Sequence, residues 1–328
     1  MELRDAQERF RALGIKLYAI SYDEPDAIAA FAENYGITYP MLSDPESEVI
    51  RRYGVLNTEI RPGDLPVYGV PFPGTFVTDA DGVVVEKFFH DSYKRRDSAE
   101  TLIDAALGEL LASSDAPGAT GGDEEIRVRA FLHGGRGTLR QGIHRKLVVR
   151  FELRDGLHLY GEPVPEGMVA TSVEVKGPEG LVTLDPIVPP TEPLRLEALD
   201  LDLNVWSGTV DLQVPFYPRA ELVSECRPVD HETVPIEVTV RYQACDDALC
   251  FPPKTETFTL DVGLEPVEMP DLGFHGETGQ WKSEVDVAPH MRRLVLRQFR
   301  RHPLGVLRSI AFQVQLMARA RLRQLLGR

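Results

Sequence analysis

The hydrophobic rhythm of this chain changes once, and that change restricts it to two different layer architectures joined end to end. Over residues 1–112 helical and strand patterns alternate. Glu2 to Leu13 reads as a helix stopped by Gly14, and Ile15 to Ile20 as a buried strand. Pro25 to Tyr35 places Ile28, Phe31, Ala32 and Tyr35 at helical spacing before Gly36. Met41–Ser43 is a short strand and Pro45 to Tyr53 a further helix. Thr75–Val77 and Val83–Phe88 form a hairpin around Asp79-Ala80-Asp81-Gly82, and Ser98 to Leu111 closes the unit as a helix. This is an α/β layer pattern. Residues 113–124, small and polar, have the composition of a flexible linker. Residues 125–265 then alternate with period two at Ile126-Val128-Ala130-Leu132, Leu147-Val149-Phe151-Leu153, Val169-Thr171-Val173-Val175 and Val210-Leu212-Val214. Separated by Pro and Gly clusters, these runs predict an antiparallel β-sandwich. Residues 266–290 read as a connector, and 291–328 as a basic helical tail.

Two of the three cysteines, Cys245 and Cys250, lie five positions apart in the second region. Ile236, Val238, Val240 and Tyr242 alternate before them, and Phe258, Leu260 and Val262 after them. The hexapeptide between is therefore expected to be a hairpin connection, where two sulfurs come within disulfide reach. A disulfide across so short a loop removes little unfolded-chain entropy, and exposed short-loop disulfides tend to be the reducible ones. From the residues alone a redox-active pair, a structural disulfide and two unrelated thiols all remain open. Asp246 and Asp247 disfavour a second negative charge beside Cys245 and are expected to raise the thiol pKa. Phe251-Pro252-Pro253 stiffens the loop exit, since each proline removes a donor and fixes its φ. Tyr242 and Phe251 either shield the sulfurs or belong to the core. Cys226 stands beside Arg227, and a lone cysteine is more often a small buried residue. His158 is read as a structural or surface residue rather than a general base.

Charge and composition narrow the function classes. The formal net charge is −15, but Met291 to Arg328 holds ten arginines and no acidic residue, so the tail carries +10 and the rest −25. An acidic body argues against nucleic-acid binding. Three cysteines are too few for a secreted disulfide framework, and no zinc-ligand spacing surrounds them, so neither a metal nor a cofactor is expected. No stretch approaches the roughly 20 apolar residues of a membrane span. The amino terminus, Met1-Glu2-Leu3-Arg4-Asp5, lacks a hydrophobic signal region, which places the chain as written in the cytoplasm. In the tail Leu307, Ile310, Ala311, Val314, Met317, Ala318 and Leu325 recur at helical spacing. A helix docked on a subunit or on the acidic body, and one lying on an anionic membrane surface, both fit that pattern.

The motifs of the first region resemble a peroxiredoxin or redoxin of the AhpC/TSA group. They are Ile20-Ser21-Tyr22-Asp23, Tyr39-Pro40-Met41-Leu42-Ser43-Asp44, Tyr53-Gly54-Val55 and Pro73-Gly74-Thr75-Phe76-Val77-Thr78-Asp79-Ala80-Asp81-Gly82, spread over roughly residues 1–110. The resemblance implies a thioredoxin fold with a cis-proline at Pro73 beside the redox site. It also implies a reactive cysteine at a helix amino terminus, yet no cysteine precedes Cys226. Either the true start lies upstream, or the domain is a degenerate scaffold. Gly156-Leu157-His158-Leu159-Tyr160-Gly161 and Tyr242-Gln243-Ala244-Cys245 through Cys250-Phe251-Pro252-Pro253 resemble the amino-terminal domain of the DsbD thiol:disulfide interchange proteins, over about residues 125–263. That family implies an immunoglobulin-like sandwich whose paired cysteines, here Cys245 and Cys250, exchange electrons with thioredoxin-like partners. It also implies the periplasm, which applies if the true start lies upstream.

The expectation is therefore an α/β thioredoxin-like domain followed by an all-β immunoglobulin-like sandwich and a helical basic tail. Its working cysteines are Cys245 and Cys250, with Pro73, Tyr242, Asp246, Asp247, Phe251 and Pro252 as neighbours. The expected partner is a thioredoxin-like redox protein, with intramolecular exchange between domains as a further route, since tethering raises effective concentration. A non-catalytic scaffold, whose tail binds a partner or a membrane surface, is the alternative.

Overall fold

The computed structural model of the chain describes residues 2–60, 69–90, 92, 94–111, 116–196, 201–223, 232–246, 249–265, 269–270, 282–283, 296 and 300. Two compact units divide them: residues 1–75 with 270–276 and 282–328, and residues 76–269 with 277–281.

The first unit contains α1 (Glu2–Ala12), β1 (Ala19–Ser21), α2 (Pro25–Tyr35), β2 (Met41–Ser43) and α3 (Glu48–Arg52). Pro25 opens α2 at a position where a missing N–H costs nothing. Gly36, at φ 63°, closes it by donating to the Ala32 and Glu33 carbonyls. The helix expected from Pro45 is shorter, because the buried Asp44 carboxylate accepts from the N–H groups of Glu48 and Ile50, each at 2.9 Å, and so sets its start. β1 and β2 pair in parallel, with Ile20 opposite Leu42. The first strand was expected to be buried, but Ile20 is 42% and Leu42 49% exposed. Pro73 leads into β3 (Gly74–Thr78) without the expected cis bond; among the described residues the cis peptide is Glu162–Pro163.

The second unit begins within β3, which forms a hairpin with β4 (Val84–Phe89). The Asp79 carboxylate accepts from Asp81 and Val83 N–H groups at 3.0 and 2.9 Å and shapes the turn, as its sequence suggests. β5 (Arg96–Asp97) and α4 (Ala99–Leu107) follow, with Ser98 capping α4 by accepting from Thr101 N–H. Residues 76–111, read from sequence as part of the first domain, lie in the unit that carries the sandwich. The ladder explains this: β5 pairs in parallel with the start of β9 (Ile143–Leu153). The buried Asp104 on α4 also bonds His133 at 2.8 Å.

The rest of this unit is β-rich. β6 (Gly118–Gly122), β7 (Ile126–His133), β8 (Thr138–Leu139) and β9 are followed by β10 (His158–Tyr160), β11 (Ser172–Lys176) and β12 (Leu181–Thr183). Then come β13 (Glu192–Leu196), β14 (Leu201–Ser207), β15 (Thr209–Pro218), α5 (Ala220–Val223), β16 (Thr233–Tyr242), β17 (Ala244–Cys245) and β18 (Lys254–Leu264). One sheet runs β12-β15-β9-β7-β6 and a second β11-β16-β18-β8. Their inward residues, among them Val128, Ala130, Val149, Phe151, Leu212, Ile236, Val238, Val240, Leu260 and Val262, form one buried core. A third sheet, β13-β14-β10-β17, carries a smaller cluster.

The linker expected at 113–124 is half strand: Gly118–Gly122 pairs with β7, Gly118 opposite Phe131. A Cβ at Gly118 would stand 2.7 Å from the Ala130 carbonyl oxygen, so only glycine lets this edge strand approach. Within the connector, β19 (Met269–Pro270) pairs with β20 (Lys282–Ser283). Apart from Leu296 and Arg300, the basic tail lies outside the described residues. No described helix is long and apolar enough to cross a membrane.

Candidate functional site

The expected hairpin is present, and it sets the cysteine geometry. β16 and β18 pair antiparallel from Thr233–Gly263 to Tyr242–Lys254, and the segment between them folds back on itself. Asp246 N–H donates to the Leu249 carbonyl at 3.0 Å, and its carboxylate accepts from Leu249 N–H at 2.6 Å. Phe251 N–H donates to the Ala244 carbonyl at 2.9 Å. These contacts bring Cys245 and Cys250 into a disulfide, with Cα atoms 4.1 Å apart. Asp246 thus acts first as the turn's acceptor. Asp247 lies outside the described residues.

The two sulfurs sit in unlike surroundings. Cys245 is 1% exposed and packs with Tyr160, Leu203 and Val205, whereas Cys250 is exposed at the hairpin tip beside Leu249. β17 pairs with β10, placing Cys245 opposite His158. Tyr160, two residues on, shares that face. The Tyr160 hydroxyl donates to Cys245 Sγ and lies 3.2 Å from Cys250 Sγ. Burial raises the Tyr160 phenol pKa, so it stays protonated and remains a donor at neutral pH. The Gly156–Gly161 segment was singled out in the sequence as a family motif, but nothing local in it reveals that this hydroxyl meets residue 245.

The remaining neighbours divide by role. Tyr242 is a core residue: it is 1% exposed, stacks edge-on against Phe151 and donates to Glu256 at 2.6 Å. Burial, followed by Glu256, pushes its pKa strongly upward. Phe251 packs against the same core. Its carbonyl accepts from Gln243 Nε2 at 3.0 Å, and Gln243 Oε1 accepts from Val169 N–H at 2.9 Å. Pro252 is exposed in the loop exit. Pro73 belongs to the other unit, and Cys226 lies outside the described residues.

Residues 1–87 match the AhpC/TSA family, and residues 136–262 match the family of the amino-terminal domain of thiol:disulfide interchange protein DsbD. The chain joins a peroxiredoxin-type segment to a DsbD-type domain. Its coarse architecture is accordingly a thioredoxin-like first region and a β-rich second one. The putative peroxiredoxin Rv2521 of Mycobacterium tuberculosis strain H37Rv is 35% identical over 88 residues, covering 26% of this chain and 52% of that protein. Peroxiredoxin Bcp of Escherichia coli K12 is 27% identical over 105 residues, 31% of this chain and 62% of its own length. The chain thus spans about half the length of the first of these curated relatives. The DsbD amino-terminal domain of Neisseria meningitidis in its reduced form overlays 36% of this chain and 77% of its own at 18% identity, with a TM-score of 0.23. The disulfide falls inside the DsbD-type match, and the AhpC/TSA match contains no cysteine.

Proposed function

We propose that Cys245 and Cys250 form a thiol–disulfide exchange centre that takes electrons from a thioredoxin-fold dithiol and passes them to a peroxiredoxin-type protein. The observation that carries this is the asymmetry of the pair: one cysteine is an exposed residue of the hairpin loop, and the other is buried with a phenol donor on its sulfur. An incoming thiolate reaches Cys250 Sγ and forms a mixed disulfide there. The Cys245–Cys250 bond breaks with its electron pair on Cys245 Sγ, where the Tyr160 hydroxyl donates to the new thiolate. The donor's second thiol loses its proton to solvent and attacks its own sulfur in the mixed disulfide, releasing Cys250. Two electrons have then entered the pair and the donor has become a disulfide. The reverse sequence, started by Cys250, delivers those electrons to a disulfide or sulfenic acid on the acceptor. Residues 1–225 contain no cysteine, so the acceptor sulfur on this reading is not among them.

The test is trapping on the full chain, in a Cys226→Ser background, with a thioredoxin-type protein that keeps only its attacking cysteine and carries it as the thionitrobenzoate disulfide, so that a free thiolate displaces thionitrobenzoate and forms the mixed disulfide. Cys245→Ser, which leaves the exposed sulfur, is expected to accumulate the mixed disulfide, and Cys250→Ser is not. A wild-type pair that stays bonded below about −300 mV behaves as a structural disulfide and removes the proposal.

A further inference from the structure

We infer that His90, Asp97 and His144 form a binding site for a divalent transition-metal ion of the zinc class, separate from the cysteine pair. Three chain segments of the second unit build it. His90 follows directly after β4, Asp97 ends β5, and His144 lies on β9, where the parallel ladder sets it opposite Asp97. One ligand atom from each residue lies within 4.8 Å of the other two. His90 Nε2 and Asp97 Oδ2 are 2.8 Å apart, and these side chains are only 17% and 11% exposed.

The second observation is the state of His144. It is 7% exposed, and its Nε2 is buried without a hydrogen-bond partner among the described residues. Buried polar atoms are nearly always paired, so an orphan nitrogen in a cluster of ligand-type residues calls for an occupant. The ring stacks on Tyr217, with centroids 4.9 Å apart, and packs against the His90 ring at 4.3 Å in a tilted contact. A neutral imidazole and a carboxylate are the protonation states such an ion takes.

Two imidazole nitrogens and one carboxylate oxygen suit zinc and its neighbours rather than calcium or magnesium, which prefer all-oxygen shells. Ligand bonds of about 2.1 Å place tetrahedral donors about 3.4 Å apart. The ion therefore replaces the proton shared by His90 and Asp97, and modest rotations close the remaining gap. Three protein ligands leave a fourth position for water. Arg95, whose guanidinium stands 4.9 Å over the Tyr217 ring, adds positive charge nearby and tempers the affinity. Occupancy would pin the β4–β5 segment to the start of β9.

The test uses the full chain with its disulfide intact and Cys226 replaced by serine, so that thiols do not compete. Zinc is titrated against a chromophoric chelator. One equivalent is expected to bind, and His144→Ala and Asp97→Asn are each expected to weaken binding by at least about 100-fold, the upper end of what an outer-shell partner costs. A folded chain that retains no zinc, or an affinity that His144→Ala leaves unchanged, overturns the site. X-ray absorption on the unmutated zinc-loaded chain decides the matter without any variant. Imidazole back-scattering from two rings supports the assignment, and a sulfur or all-oxygen shell refutes it.

Discussion

Replacing Tyr160 with phenylalanine is expected to make the Cys245–Cys250 couple harder to reduce. The hydroxyl donates to Cys245 Sγ and lies 3.2 Å from Cys250 Sγ. A hydrogen bond to a neutral acceptor contributes about 1 kcal/mol and one to a charged acceptor about 1.5–3 kcal/mol. Reduction turns the disulfide acceptor into a thiolate, so the phenol favours the reduced pair by the difference, about 0.5–2 kcal/mol. For a two-electron couple 1.4 kcal/mol corresponds to about 30 mV, and the Tyr160→Phe potential should fall by roughly 10–40 mV. If half of the lost stabilisation is felt in the transition state, reduction by a dithiol slows by about 1.5- to 5-fold. The assay is thiol trapping across graded redox buffers in a Cys226→Ser background, with stopped-flow reduction alongside and thermal melts as a folding control. A potential that stays put or rises, in a variant that melts like the parent, would show that Tyr160 is only a packing residue.

Further outcomes separate the core from the site. Tyr242→Phe removes the bond to Glu256 and should cost about 1–3 kcal/mol in denaturant unfolding while leaving the potential unchanged; a shifted potential would restore Tyr242 as a shield of the sulfurs. Gly118→Val places a Cβ 2.7 Å from the Ala130 oxygen and 2.9 Å from Phe131 Cβ. It is expected to destabilise the chain by about 1–3 kcal/mol, and a neutral result would mean that β6 is detached in solution. Asp104→Asn should destabilise by about 3 kcal/mol, since it removes the carboxylate facing His133 and Lys146. Burial alone raises the Asp104 pKa, but the hydrogen bond and charge of His133, the Leu111 N–H and Lys146 outweigh it and hold the carboxyl below its ordinary range. Its contribution is therefore complete above the unfolded value of about 4 and is lost as pH falls through the lower folded one. Asp104→Asn should flatten that acid limb in pH-dependent melts, and an unchanged limb would place the titration elsewhere.

Local pattern carried much of this protein in its sequence. Period-two alternation on either side of Cys245 and Cys250 sufficed for the hairpin, because strand register around a short loop is settled by neighbours in the chain. The Asp79–Gly82 turn and the glycine-stopped helices were legible for the same reason. The split between a helix-and-strand half and a strand half was also visible, and the family matches agree with it.

What depended on distant pairing was not legible. Tyr160 reaches a cysteine 85 positions away only because β10 is flanked by β14 and β17. The contrast between buried Cys245 and exposed Cys250 follows from that same third sheet and not from their flanking residues. β6 looks like a linker because its glycines are needed for close approach to β7, a constraint that composition cannot express. His90, Asp97 and His144 have no ligand spacing along the chain; the parallel pairing of β5 with β9 assembles them. The sequence by itself determined those strands, helices and turns whose preferences act over a few residues, β6 excepted. Tertiary structure decided which side chains meet across the sheets, and hence how the two sulfurs differ, because register between remote strands is set by the shared core.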